Sequence, residues 1–138
     1  ALEPVCALCD LVLCACSDAK ELFGISGEPP ELAHALRARF RAKAVAATAG
    51  AEGVFADSSD GRFSAEIAPC LREVDRVGSG DAFAAGAIHG FLDGDLERGL
   101  RYGSAMSSLK HTIPGDILSS TREEIEALME GLSSTIQR

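Results

Sequence analysis

An α/β fold is predicted by three observations: a strand-helix-strand order within residues 10–48, a hairpin signal just after it, and a helical remainder beginning near Ser79. Short strands separated by a helix imply parallel pairing through a right-handed crossover. The hairpin then adds an antiparallel edge.

The segment Asp10-Leu11-Val12-Leu13-Cys14-Ala15 reads as a buried strand, because it is short, partly β-branched and continuous rather than alternating. A short helical turn over residues 18–23 closes on Gly24. Pro29 and Pro30 suit a helix start, Leu32, Leu36 and Phe40 recur every four residues along one face, and Arg37, Arg39 and Arg41 gather toward its end. Residues 43–48 form a second apolar strand, and Gly50 and Gly53 mark the turn after it. Residues 54–57 and 62–67 flank Ser58-Ser59-Asp60-Gly61, whose Asp-Gly pair signals the hairpin.

From Ser79 the chain turns to small residues and Gly, then to longer helices. Asp95 is an N-cap candidate, followed by a close-packing stripe of Leu96, Leu100, Gly103 and Met106 or Ser107. Thr121 and Glu124 have capping-box spacing, and Ile125, Leu128, Met129 and Leu132 follow on one helical face. Residues 133–138 read as a flexible end.

The 138 residues amount to one domain's worth of polypeptide, with 46% hydrophobic and 25% charged residues, the balance of a globular chain. A net charge of -8 repels polyanions, so nucleic-acid binding is not expected. No apolar run reaches the ~18 residues of a membrane span, and no basic leader precedes an apolar core, so a cytoplasmic location is the expectation.

Cys6, Cys9, Cys14 and Cys16 cluster near the start. Their spacing could supply four thiolates to zinc or an iron-sulfur cluster. The competing reading is structural: the thiols interrupt an apolar run, where free Cys packs as a small hydrophobe, with Cys14 and Cys16 on one strand face. No metal ligands are assigned.

The segment richest in chemistry is Asp75-Arg76-Val77-Gly78-Ser79-Gly80-Asp81-Ala82-Phe83-Ala84-Ala85-Gly86. A glycine-rich turn leading into a helix leaves backbone N–H groups unpaired at the positive end of the helix dipole, an anion site. It is not a Walker A loop, since no Lys-Ser or Lys-Thr follows the second glycine, nor a dinucleotide fingerprint, since the third glycine is six residues on. Taken alone, Ser79 or Asp81 could simply cap the helix while Gly86 permits close packing.

The whole string resembles the second signature of the ribokinase-like (PfkB-type) carbohydrate kinases: Asp, two variable residues, Gly, small, Gly, Asp, then an apolar helix containing Gly. The resemblance implies the C-terminal part of a three-layer α/β/α sheet domain. It also implies that Asp81 is the general base toward a sugar hydroxyl, and that the amides of Gly78, Ser79, Gly80 and Asp81 form the anion hole for the transferring phosphate. Positioning and charge stabilisation are what phosphoryl transfer chiefly asks of a protein.

Two further segments resemble the family's nucleotide side. Thr48, Gly50 and Gly53 lie in a Gly-x-x-Gly turn before the hairpin. Ala105 and Ser108 lie on the helix that precedes Lys110-His111-Thr112-Ile113-Pro114-Gly115-Asp116, a form most like the 2-keto-3-deoxygluconate kinases. Lys110 alone could equally be a solvated cation at a helix end. ATP and Mg2+ are the implied cofactors and a sugar acid the implied substrate. The family's Asn-x-x-Glu motif is half kept, with Ala15 against the Asn and Asp18 against the Glu.

The resemblance covers residues 1–138 as the C-terminal, nucleotide-binding portion of a family member, without the N-terminal half and lid. Such a chain is expected to turn over negligibly by itself, and either to self-associate or to need the missing half. The alternative is a noncatalytic fragment that binds nucleotide or a partner chain.

Overall fold

The structure, a computed structural model, describes residues 2–70 and 72–136, the side chains of 132–136 excepted. It divides into two compact units, Ala1–Ala65 and Glu66–Arg138.

The first unit contains α1 (Glu3–Cys6), β1 (Leu11–Ala15), α2 (Cys16–Phe23), α3 (Pro29–Phe40), β2 (Ala44–Thr48), a 3-10 turn (Gly50–Glu52), β3 (Val54–Ser58) and β4 (Gly61–Ala65). The strands form one sheet in the order β1-β2-β3-β4. β1 and β2 are parallel, with Leu11 opposite Ala44, and the crossover between them carries α2 and α3 as the sequence order requires. β2, β3 and β4 are antiparallel, so the Asp-Gly hairpin forms the sheet's outer ribbon.

The predicted face of α3 faces inward: Leu32, Ala33, Leu36 and Phe40 are buried and join Ala19, Val45 and Ala47 in one core. Phe23 meets Phe40 edge-on at 4.9 Å. Behind this face, the buried Asp57 carboxylate on β3 accepts from His34 Nδ1 at 2.7 Å and Arg37 at 3.0 Å, and pairs with Arg62 at 3.3 Å. Those links tie α3 to the hairpin.

Two local expectations need correction, and one element has no counterpart among them. β1 is half-buried along its whole length rather than covered on both faces, because it is an outer strand of the four. It stops at Ala15 and Cys16 opens α2, so Cys14 and Cys16 do not share a strand face. The short helix α1 was signalled by no periodic pattern, being a single turn started by Pro4.

The second unit contains α4 (Ser79–Leu92), α5 (Leu96–His111) and α6 (Arg122–Ile136). Asp95 caps α5 by accepting from the Arg98 amide at 2.9 Å. Thr121 and Glu124 form the reciprocal capping box at 2.9 and 3.3 Å. α4 and α5 touch backbone to backbone where Gly86 meets Gly103 and Gly90 meets Gly99; a Cβ on Gly103 would lie 2.5 Å from the Phe83 carbonyl oxygen. Tyr102, Ala105, Ile125 and Met129 form the core between α5 and α6. Of the end expected to be flexible, residues 133–136 continue α6, while Gln137 and Arg138 lie outside the described residues, as does the Leu132 side chain.

Candidate active site

The approach to α4 is built by links between two loop segments of the second unit. The amides of Val74 and Asp75 both donate to the His111 carbonyl, at 2.7 and 3.1 Å. The Asp75 carboxylate accepts from the Val77 amide through one oxygen and from the Gly115 amide through the other, each at 3.0 Å. Those two backbone donors, with the Lys110 charge adding to them, hold its carboxyl below the usual carboxylate range.

Lys110 is fully buried. Its Nζ donates to the Ile113 carbonyl at 2.8 Å and reaches the Asp75 carbonyl at 3.5 Å. It is therefore not the solvated helix-end cation that its position in the sequence also allows. His111 contributes through its carbonyl rather than its ring.

These links set the turn. Gly78 is the N-cap of α4 with φ 80° and ψ 0°, a left-handed conformation suited to glycine, and any Cβ there would run into the Asp116 backbone. No side chain caps α4, so neither Ser79 nor Asp81 performs the capping role. The Ser79 amide donates to the Arg76 carbonyl at 3.2 Å and is used within the turn. The amides of Gly78, Gly80 and Asp81 have no acceptor among the described residues. Of the four amides that the sequence offers for an anion hole, three are thus left without an acceptor, at the positive end of a 14-residue helix.

Asp81 is exposed and stands in the first turn of α4. It lines a cavity of about 280 Å³ together with Gly78, Ala85, Met106, Asp116 and Ser120. Of the three residues with unpaired amides, Gly78 and Asp81 therefore share one opening. Asp116, absent from the sequence-derived set, brings a second carboxylate to it.

In the first unit, Thr48 ends β2, and the turn after it closes through Ala49 N–H to Gly53 O at 2.9 Å and Gly53 N–H to Gly50 O at 3.3 Å. Thr48 and Gly50 line a cavity of about 430 Å³ with Cys16, Ser17, Glu28 and Glu52. Gly53 is buried and serves the turn itself. Ala15 lines the same cavity, whereas Asp18 is exposed in the first turn of α2 beside Ser17.

The other two nucleotide-side candidates have structural partners. Ala105 is fully buried in the α5–α6 core. The Ser108 hydroxyl donates to the Pro69 carbonyl at 2.9 Å, and Ser104 one turn earlier donates to the Glu66 carbonyl at 2.8 Å. Neither candidate offers a free polar side-chain atom.

Among the described residues no group of three His, Cys, Asp or Glu side chains stands together as a metal site, and no helix is long and apolar enough to cross a membrane. Burial pushes the Cys14 thiol up to about 11, with Asp18 adding to the effect. Mg2+ that arrives on phosphate oxygens keeps several waters and takes only one or two carboxylates from a protein. Asp81 and Asp116 on one cavity suit that modest demand.

Known proteins give an independent comparison. A 2-dehydro-3-deoxygalactonokinase of Haloferax volcanii is 29% identical over 130 residues, covering 94% of this chain and 41% of that relative. The crystal structure of 2-dehydro-3-deoxygluconokinase from Thermotoga maritima superposes with a TM-score of 0.79 at 30% identity, over 93% of this chain and 43% of that one. A putative ribokinase II from E. coli in complex with ATP and Mg2+ gives a TM-score of 0.79 at 27% identity, over 94% and 42%. The chain thus spans about two fifths of the length of these relatives, and its fold is ribokinase-like. With residues 1–123 matching the model of the pfkB family carbohydrate kinases, the chain belongs to that family.

Proposed function

We propose that the chain is the nucleotide-binding, C-terminal portion of a cytoplasmic kinase that transfers the γ-phosphoryl group of MgATP to a hydroxyl of a sugar acid of the 2-keto-3-deoxygluconate type. The observation that carries this reading is the 78–81 turn, which leaves three amides unpaired and lines one cavity with Gly78 and the exposed Asp81. The relatives named for 2-dehydro-3-deoxy sugar acids support the substrate class.

In this reading the Gly78, Gly80 and Asp81 amides hold the charge that builds on the γ-phosphoryl oxygens, aided by the α4 dipole. Asp81 orients the sugar hydroxyl and takes its proton as the new oxygen–phosphorus bond forms and ADP departs. A carboxylate can do so at neutral pH because the proton is transferred as the hydroxyl gains acidity in the transition state. Thr48, Gly50 and Gly53 shape the nucleotide side within the first unit. Ala105 and Ser108 serve that function by fixing α5 rather than through free side-chain atoms.

The 138-residue chain by itself turns over negligibly, since the remaining three fifths of the relatives' length has no counterpart here. The test is a coupled ADP-release assay on the chain joined to a family N-terminal half. Asp81→Asn should lower kcat by about 10² to 10⁴-fold while the ATP dissociation constant stays within a factor of a few. Near-normal turnover in that variant refutes the general-base role.

A further inference from the structure

We propose that Asp75 and Lys110 act as positioning residues, clasping the segment before α4 to the loop after α5 so that the 78–81 turn is held open for phosphate. The proposal rests on the kinase reading above and concerns residues that do not themselves touch substrate.

The amides at a helix start are met by side-chain caps, by tightening of the first helical turn, by water or by a ligand, so a turn that is to receive phosphate has to be kept from the first two. Here the constraint comes from outside the turn. Asp75 bridges Val77 and Gly115, its own amide and that of Val74 donate to His111, and the Asp116 backbone closes on Gly78. Two chain segments some 35 to 40 residues apart are thereby joined at several points.

Lys110 is the unusual member. A fully buried ammonium needs its donors satisfied, and the partners it has are carbonyl oxygens of Ile113 and Asp75, one from each joined segment. Ordinary packing would be served by an apolar side chain. An ammonium instead bonds both loops and places positive charge beside a segment that is to receive an anion. The same charge favours the ionised form of Asp75, so the two residues support each other.

The chemistry of the pair allows a residue-resolved test on the 138-residue chain. Asp75→Asn preserves one carbonyl oxygen, which can still accept from Val77, but presents an NH2 group to the Gly115 N–H. Lys110→Met keeps the apolar stem and deletes the donor. Tyr102→Phe, which removes the 2.6 Å bond to Glu126 between α5 and α6, serves as the control for general loosening of the unit. Amide hydrogen exchange by NMR should show Gly115 at least about tenfold faster in Asp75→Asn with Val77 little changed, and both faster in Lys110→Met, with the α5–α6 contact region unaltered. ATP affinity should fall about tenfold or more in both variants and stay unchanged in Tyr102→Phe.

Exchange that rises uniformly through the unit, or not at all, overturns the clasp. So does faster loop exchange with unchanged ATP affinity, which would make the links merely structural. Loss of ATP response in the wild-type chain refutes the kinase reading instead, and the exchange pattern still decides whether Asp75 and Lys110 hold the turn.

Discussion

The backbone of Asp116 occupies the space that a side chain on Gly78 would need. The turn that opens α4 is therefore shaped by a loop 38 residues away in sequence, and glycine is required there twice over, for its left-handed φ of 80° and for this approach. Gly80, two residues on, has nothing within 4 Å of where a Cβ would lie.

The contrast gives a paired prediction. Gly78→Ala should destabilise the second unit by more than the ~1 kcal/mol of the backbone conformation alone, read as a lower urea midpoint, and should abolish ATP binding. Gly80→Ala should leave stability unchanged or raise it by roughly 0.5 kcal/mol, yet weaken ATP binding if the turn takes phosphate as proposed, because the added methyl group would crowd the amides. If Gly80→Ala binds ATP as well as the parent, the turn is a helix start and nothing more.

Acid should loosen the first unit through Asp57. Burial pushes its carboxyl up, but hydrogen bonds and charge from His34 and Arg37 outweigh that and hold it below its ordinary value. A depressed carboxyl stabilises the fold above its unfolded pKa of about 3.9 and loses that contribution as pH falls through the folded value. Urea unfolding at pH 7 and pH 3 should show a fall in stability on acidification, and Asp57→Asn should reduce it. At pH 7 the same substitution should cost about 2 kcal/mol, the scale of a buried hydrogen bond to a charged group.

Thiol labelling separates the cysteines by environment. Cys14, raised to about 11 by burial and by Asp18, should alkylate far more slowly at pH 7.5 than the exposed Cys9 and Cys70. Mass spectrometry of iodoacetamide adducts over time reads the order directly. Labelling of Cys14 as fast as Cys9 would contradict the half-buried position of β1.

What the sequence makes legible follows the range of the interaction. The hairpin, the Asp95 cap, the Thr121–Glu124 box and the inward face of α3 are specified within a few residues, so local chemistry is enough to read them. The half-burial of β1 depends on its place in the strand order, which no property of Leu11 to Ala15 encodes. The glycine turn is readable from its motif as a helix start with unpaired amides. The use of the Ser79 amide by Arg76 is a detail of turn geometry that the motif does not carry.

Lys110 shows the limit most clearly. Its position at the end of a helix suggests a solvent-facing cation, while its burial is imposed by the Asp75 segment 35 residues earlier. Asp75 does leave a local trace, since an Asp whose side chain accepts from the amide two residues on is a common turn former. Its second bond, to Gly115, belongs to tertiary structure. Ala105 and Ser108 likewise acquire their roles from α6 and from Pro69 rather than from their own helix.

The most direct measurement is an ATP·Mg2+ titration of the 15N-labelled chain followed residue by residue. The Gly78, Gly80 and Asp81 amide resonances should shift in a saturable way, and Ser79, whose donor is already engaged, should move least of the four. Saturable shifts confined to other parts of the chain, or none at all, would contradict phosphate recognition by the 78–81 turn.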